Sequence, residues 1–148
     1  MTNISFLNLR VVKENCGRYD IQRKINSPSD FYNVALKVLE LDERAEESLF
    51  MATLDTKNNI TGIFEVSRGS LNSSIVHPRE VFKRAVMQNA ASIILYHNHP
   101  SGDPTPSQDD IDTTKRIVES GEILGIALLD HLIIGENKYI SLKEEGII

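Results

Sequence analysis

The sequence predicts a single α/β domain in which helices pack on a mixed β-sheet. The chain has 148 residues, the usual size of one domain. Apolar residues make up 41% and charged residues 25%, which is typical of a globular protein rather than of a disordered or repetitive chain. Stretches with helical spacing of apolar residues alternate with short apolar runs that favour strands.

The first half of the chain predicts a strand, a helix and a hairpin. Residues 4–12 are rich in β-branched and apolar types, which favours a strand. An N-cap serine followed by proline and by apolar residues at helical spacing predicts a helix over about 28–41. The apolar runs Leu49–Leu54 and Ile60–Val66 flank a cluster of turn formers, so an antiparallel hairpin is expected.

The second half predicts two helices around a buried strand, followed by two more strands. The short apolar run Ser92–Tyr96 is typical of a central strand, and the Pro- and Gly-rich stretch after it must be a loop. Ser107 caps a helix that Gly121 is expected to end. The preceding helix begins at Pro78 and should bury Val81, Phe82, Ala85, Val86 and Ala90. The last strands are expected at Leu124–Ile134 and Lys138–Leu142.

Composition excludes several classes of protein. The formal net charge of -5 and the pI near 5.4 argue against direct binding of a nucleic-acid backbone, which requires a basic surface. Cys16 is the only cysteine, so an internal disulfide is impossible and a reducing, cytoplasmic location is expected. The sequence carries neither a signal-peptide pattern nor an apolar run of the roughly 18 residues that a membrane helix needs.

A candidate metal site follows the central strand. His97 and His99 lie two residues apart, and alternate side chains of a strand point to the same side, so both imidazoles can meet one ion. Asp110 lies in the first turn of the next helix and can return a carboxylate to them. Three nitrogen and oxygen ligands with a fourth position open to water are typical of catalytic zinc. However, Ser107 and Asp110 also match a capping box without any metal, and the residues alone leave both interpretations open.

The loop and helix resemble a known metalloenzyme pattern. In the JAMM pattern of the MPN/JAB1 metalloenzymes, one residue separates two histidines, and seven residues, a serine, two further residues and an aspartate follow. This chain fits that pattern, and it looks specifically like the bacterial RadC family. The similarity covers about Glu46 to the C-terminus. It rests on LDTKN at 54–58, GSLNSSIVHPREVFKRA at 69–85, HNHPSGDPTPSQDD at 97–110 and LLDHLIIG at 128–135.

The resemblance implies an MPN/JAB-like (cytidine-deaminase-like) fold and a role for each site residue. His97, His99 and Asp110 would bind Zn²⁺, and Glu47, the upstream glutamate of the pattern, would act as general base and then as acid. Ser107 would help to hold the oxyanion. The implied division is 1–45, an N-terminal strand and helix packed on or leading into the core, and 46–148, the RadC-like domain.

Other residues compete for these roles. Glu46, Glu65 and Glu80 are alternative bases. The remaining polar residues near the pattern favour structural roles. Asp109 and Asp112 suit a solvated helix face, His131 suits a buried core position, and His77 suits a helix start.

Two functional classes follow. The first is a zinc metallopeptidase-like hydrolase that cleaves an amide or isopeptide bond of an unidentified peptide or protein. The alternative is a non-catalytic module of the RadC family, associated with DNA repair, in which zinc is structural. RadC proteins commonly carry an N-terminal helix-hairpin-helix module, whereas this chain has about 45 residues there without such a repeat, which weakens a DNA-repair role. A contiguous HNH triplet does not match HNH nucleases, whose residues are spread over a ββα unit. The sequence does not predict an oligomeric state.

Overall fold

The computed structural model describes residues 1–69 and 76–148, and these form an α/β fold with one mixed sheet. The predicted fold class is therefore confirmed. Residues 70–75, which are part of the GSLNSSIVHPREVFKRA segment, lie outside the described residues. The elements are α1 (Pro28–Lys37), β1 (Ser48–Leu54), β2 (Ile60–Arg68), α2 (Pro78–Met87), β3 (Ser92–Asn98), α3 (Gln108–Leu124), β4 (Ala127–Gly135) and β5 (Lys138–Ser141).

The sheet has the strand order β2-β1-β3-β4-β5. The hairpin strands β1 and β2 are antiparallel, as predicted, and β1 also pairs antiparallel with β3. The strands β3 and β4 are parallel because α3 carries the chain back across the sheet between them. The loop between β3 and α3 consequently leaves the carboxyl end of a central strand, which is the usual place for a ligand site in α/β sheets.

Helices cover both faces of the sheet. On one face α1 packs against alternate residues of the strands, and on the other face α2 and α3 pack against the intervening ones. The first core includes Val34, Ala35, Phe50, Ile94, Tyr96 and Leu132. The second core includes Met51, Val81, Phe82, Ile93, Leu95 and Ile117. The strand β3 contributes to both cores and is buried throughout, which confirms its prediction as a central strand.

Several boundaries differ from the sequence prediction, and β2 and β3 each continue two residues further than expected, to Arg68 and Asn98. Helix α1 ends at Lys37 instead of about residue 41. Helix α3 continues past Gly121 to Leu124, because the left-handed residue that ends it is Gly125, with φ of 70°. Gly121 is instead a packing position, where a Cβ would collide with the backbone oxygen of Ile126. The next strand accordingly begins at residue 127 and not at 124.

Two expectations about packing are wrong. Residues 4–12 form no strand, and all of them are exposed. A β-rich sequence becomes a strand only where a neighbouring strand accepts its hydrogen bonds, and within the described residues none pairs with this segment. Val86 is 53% exposed and does not belong to the buried stripe of α2. In residues 1–69 and 76–148, every helix is too short or too polar to cross a membrane.

Candidate metal centre

The two histidines of the pattern lie at the carboxyl end of β3. His97 is in the strand and is 1% exposed, and His99 is the first residue after the strand ends. The backbone N–H of His99 donates to the carbonyl of Ile134 on β4, which extends the ladder beyond the strand and holds the second histidine in line with the first. The ring centroids are 4.6 Å apart. The structure therefore brings both imidazoles to one side of the sheet, as the spacing predicts.

Asp110 faces both rings from the first turn of α3. The Nε2 atom of His99 lies 3.3 Å from Oδ2 of Asp110, and the Nε2 atom of His97 lies 3.7 Å from Oδ1. Asp110 also completes a capping box, because Oδ2 accepts the backbone N–H of Ser107 while the Ser107 hydroxyl accepts the N–H of Asp110. The cap and the histidine contacts therefore coexist, and the cap aims the carboxylate at the rings.

A hydrogen bond at its second nitrogen orients the ring of His99. Its Nδ1 atom lies 2.8 Å from the carbonyl oxygen of Asp103. A carbonyl oxygen only accepts, so Nδ1 carries the hydrogen, and in the neutral ring the Nε2 lone pair points toward Asp110. A backbone carbonyl holding the far nitrogen of a histidine is the usual support of a metal ligand.

The donor set fits a small divalent ion. A tetrahedral ion with bonds of about 2.0–2.1 Å requires ligand atoms about 3.3–3.4 Å apart. The two measured Nε2–carboxylate separations, 3.3 and 3.7 Å, are close to that value. Both nitrogens of His97 are also buried without a hydrogen-bond partner among the described residues. A buried polar atom without a partner is costly, and an ion between the rings would satisfy Nε2.

Glu47 lies beside the same histidines, immediately before β1. One of its carboxylate oxygens and one nitrogen from each of His97 and His99 all lie within 4.8 Å of one another. This position follows from strand pairing, because Leu49 on β1 pairs with His97 on β3. The negative charge of Glu47 also contributes to raising the pKa of His99. The antiparallel pairing thus carries a second carboxylate to the histidine cluster.

The rival carboxylates are engaged elsewhere. Glu65 accepts two hydrogen bonds from the guanidinium of Arg68. Glu80 forms an ion pair of 2.6 Å with Lys83, and its pKa is lowered mainly by that hydrogen bond. Glu46 is exposed. Among the described carboxylates outside α3, geometry thus selects the glutamate at position 47, which the sequence left in competition with the other three.

Ser107 is exposed and takes part in the helix cap. Its hydroxyl oxygen accepts the N–H of Asp110 through a lone pair, so its own hydrogen can still be donated. The capping role and the oxyanion role implied by the resemblance are therefore compatible. Asp109 and Asp112 are exposed on α3, as expected. His77 occupies the N-cap of α2 without a side-chain capping bond.

His131 on β4 packs beside the histidine cluster and contacts the helix that carries Asp110. It is 3% exposed, and its Nδ1 atom lies 2.7 Å from the hydroxyl of Thr114, which also donates to the carbonyl of Asp110. Its ring centroid is 5.5 Å from that of His97, and both rings line one small cavity. The buried position was expected, but the link through Thr114 to the carboxylate-bearing turn was not. Thr114 has no motif signal, because only the packing of α3 on β4 brings it there.

The electrostatics favour neutral rings at His97 and His131 beside an ionised Asp110 carboxylate. Burial, together with the neighbouring His131, lowers the pKa of His97 to about 3. Burial likewise lowers the pKa of His131 to about 4. For Asp110, burial acts to raise the pKa, but the His99 hydrogen bond and the His97 charge outweigh it, so the pKa falls below the usual range. The contact with Asp110 raises the pKa of His99, so a metal and a proton compete for its Nε2.

These shifts predict acid lability of the metal-free protein. In the unfolded chain His97 and His131 take up protons near pH 6.5, whereas in the folded state they stay neutral down to about pH 3 and 4. The unfolded state thus binds more protons in this window, and the free energy of unfolding should fall as the pH drops from about 6.5 to 4. Each of the two histidines should contribute a loss of the order of 3 kcal/mol over this window, since one pKa unit corresponds to about 1.4 kcal/mol. Urea unfolding at several pH values measures it.

The control variants separate buried from exposed histidines. His131→Gln removes one of the two buried titrating rings and should make the free energy of unfolding depend less steeply on pH, whereas His77→Gln changes an exposed histidine and should leave the dependence as in the wild type. The raised pKa of His99 acts in the opposite sense, since its stabilisation is lost only as the pH rises above 6.5. A urea midpoint that is constant between pH 7 and 4.5 would contradict the prediction.

The fold and the site together define an α/β domain with a candidate metal centre at the carboxyl end of a central strand. The family model of the RadC-like JAB domain matches residues 25–147, and the chain belongs to this family. This confirms the resemblance to the RadC family and to the JAB/MPN fold.

Curated relatives from bacteria and archaea resemble the chain. It is 56% identical over 125 residues to a UPF0758 protein of Clostridium beijerinckii, which covers 84% of this chain and 54% of the relative. It is 55% identical over 124 residues to one of Desulfitobacterium hafniense, with coverage of 84% and 54%. It is 54% identical over 127 residues to one of Methanosarcina mazei, with coverage of 86% and 55%. The chain thus spans about half the length of the curated relatives it matches.

Proposed function

We propose that this domain is a zinc-dependent hydrolase that cleaves an amide or isopeptide bond in a peptide or protein. One observation carries the proposal. Two imidazole nitrogens and one carboxylate converge at separations of 3.3 and 3.7 Å, and a further carboxylate, that of Glu47, lies beside them. A structural zinc site needs four protein ligands, but an additional acid near a three-ligand set is the arrangement of hydrolytic centres.

Zinc fits this donor set better than the other common divalent ions. Two nitrogens and one carboxylate suit a tetrahedral ion of borderline softness. Magnesium and calcium prefer six or more oxygen ligands, which the two histidines do not supply. When bound to such a set, zinc supplies Lewis-acid chemistry and lowers the pKa of a coordinated water to about 7.

The chain's own residues then have distinct tasks. Glu47 would accept a proton from the attacking water and return it to the nitrogen of the leaving amine. Ser107 would donate its hydroxyl hydrogen to the oxygen of the carbonyl under attack. Asp110 would serve as the third metal ligand beside His97 and His99, through a carboxylate whose Oδ2 atom also caps α3. Proton transfer and charge stabilisation are thus assigned to different side chains.

The sheet offers a route for an extended substrate. The strand β2 forms one edge of the sheet, and just after its end the N–H of Gly69 donates to the carbonyl of Glu47. A peptide that adds to this edge as an extra strand would run toward the proposed base. Cys16, the only cysteine, is exposed and suits a reducing compartment, so we place this activity in the cytoplasm.

Elemental analysis of the purified protein tests the metal. We expect close to one zinc per chain in the wild type and none in His99→Ala, because that change removes a nitrogen ligand. The zinc-loaded protein is then tested against a broad panel of peptides and isopeptide-linked peptides. Cleavage should stop on chelation and return when zinc is added.

The outcomes separate the two functional classes. Zinc that is bound and stabilises the fold, without cleavage of any panel member, would favour the non-catalytic RadC module with a structural metal. Absence of zinc from protein prepared without chelators, and no uptake of added zinc, would overturn both. The net charge of -5 gives no support to direct nucleic-acid binding by this domain.

A further inference from the structure

Asn98, the residue between the two histidines, makes three hydrogen bonds to the segment that carries Glu47. The residue is 2% exposed. The Oδ1 atom accepts the N–H of Ser48 at 2.8 Å, and Nδ2 donates to the carbonyls of Glu46 at 3.1 Å and Arg44 at 3.3 Å. Both amide hydrogens and the amide oxygen are therefore used, and every partner lies on one short segment about fifty positions earlier in the chain.

These bonds hold the backbone on both sides of Glu47. The carbonyl of Glu46 belongs to the peptide group before it, and the N–H of Ser48 belongs to the peptide group after it. The carbonyl of Glu47 itself accepts the N–H of Gly69. With both flanking peptide groups held, the backbone dihedrals of Glu47 are restricted, and so is the direction of its side chain.

On the side of β3, the sheet ladder does not provide this restraint. The ladder between β1 and β3 begins at the pair Leu49 and His97, so Glu47 lies beyond its end. Asn98 bridges that gap from the same strand end that carries the two histidines. The amide is also the side chain that suits the task, because an aspartate has no hydrogens to donate and a serine has one.

We propose that Asn98 is a positioning residue that holds Glu47 over the metal centre. This inference rests on the proposed function of Glu47. Asn98 touches neither a substrate nor a metal in this scheme, and it acts through the backbone of the segment 44–48. The central residue of the His-Asn-His triplet thus links the histidine ligands to the proposed base. A shift of the carboxyl end of β3 would therefore move the histidines and Glu47 together.

The test combines a spectroscopic and a kinetic readout. In cobalt-substituted protein, Glu47→Gln should alter the visible absorption spectrum, since its carboxylate lies within 4.8 Å of the histidine nitrogens. Asn98→Ala should bind cobalt and zinc at wild-type stoichiometry but reproduce much of that spectral change. The turnover number should fall by about 10- to 100-fold with an unchanged KM, because a displaced catalytic group costs up to about 100-fold. The double variant should show no further loss.

Two further variants keep the test decisive. Asn98→Asp retains the acceptor for the N–H of Ser48 but loses both donors, so it should show the same spectral and kinetic changes as Asn98→Ala. It replaces the alanine variant in the test if that variant fails to fold. Thr53→Val removes the hydroxyl that contacts Thr61 at the opposite end of β1. This matched control should lower stability while leaving the cobalt spectrum and turnover unchanged.

The failures are distinguishable. If Glu47→Gln itself leaves both the spectrum and turnover unchanged, the proposed role of Glu47 falls, and the inference falls with it. If Glu47→Gln alters them but the Asn98 variants do not, only the inference on Asn98 is overturned. Additive effects of the two changes would overturn it as well, because a residue that acts through Glu47 cannot matter once Glu47 is gone.

Discussion

Replacing Glu47 with glutamine is expected to leave zinc bound and to abolish most of the hydrolysis. Glutamine has nearly the same shape as glutamate, but its amide cannot accept a proton from water. General acid–base catalysis contributes about 10²–10⁴-fold, so the turnover number should fall by that factor. Zinc content should stay near one per chain, because His97, His99 and Asp110 are untouched. Elemental analysis and panel kinetics on the same preparation measure both quantities.

The neighbouring glutamate provides the control. Glu46 is exposed and adjacent in sequence, so Glu46→Gln changes the local charge by the same amount without altering the histidine cluster. We expect wild-type turnover for that variant, and also for Glu65→Gln, whose carboxylate pairs with Arg68. Loss of turnover in either control, with activity retained in Glu47→Gln, would reassign the base and contradict the geometry.

The second large effect is expected at Asp110. Asp110→Ala removes a proposed ligand, so zinc affinity should fall by more than about 100-fold, the upper range for residues that merely support a ligand. The same change deletes the acceptor for the N–H of Ser107 and should therefore also weaken the start of α3. Competition with a chelating dye measures the affinity, and thermal unfolding with and without zinc measures the coupled stability.

The variant Ser107→Ala distinguishes the effect of the helix cap from the effect of metal binding. This variant removes the other half of the capping box, which should cost about 1 kcal/mol of stability, but it leaves the carboxylate in place. Zinc should therefore still raise the unfolding temperature of Ser107→Ala and should have little effect on Asp110→Ala. Equal zinc affinity in Asp110→Ala and the wild type would show that this carboxylate serves the helix cap alone.

Local chemistry accounts for the features that the sequence predicted well. The starts of α1 and α3 were predictable because the capping side chains and the N–H groups they bind lie three residues apart. The convergence of His97 and His99 was predictable because alternate residues of a strand share a side. The end of α3 was not, since two glycines stood near it and only the backbone conformation distinguishes Gly125 from the packing glycine Gly121.

The sequence by itself determined the α/β class, most of the strands and the His97, His99 and Asp110 constellation, because these depend on neighbours within about a dozen residues. The resemblance implied Glu47, but only the tertiary structure distinguished it from the other glutamates, since Glu47 reaches the histidines through pairing between strands that are far apart in the chain. The same holds for the bonds of Asn98 and for the contact between Thr114 and His131. Residues 4–12 show that a local pattern can also predict too much, because a strand-like sequence stays exposed where no neighbouring strand accepts its hydrogen bonds.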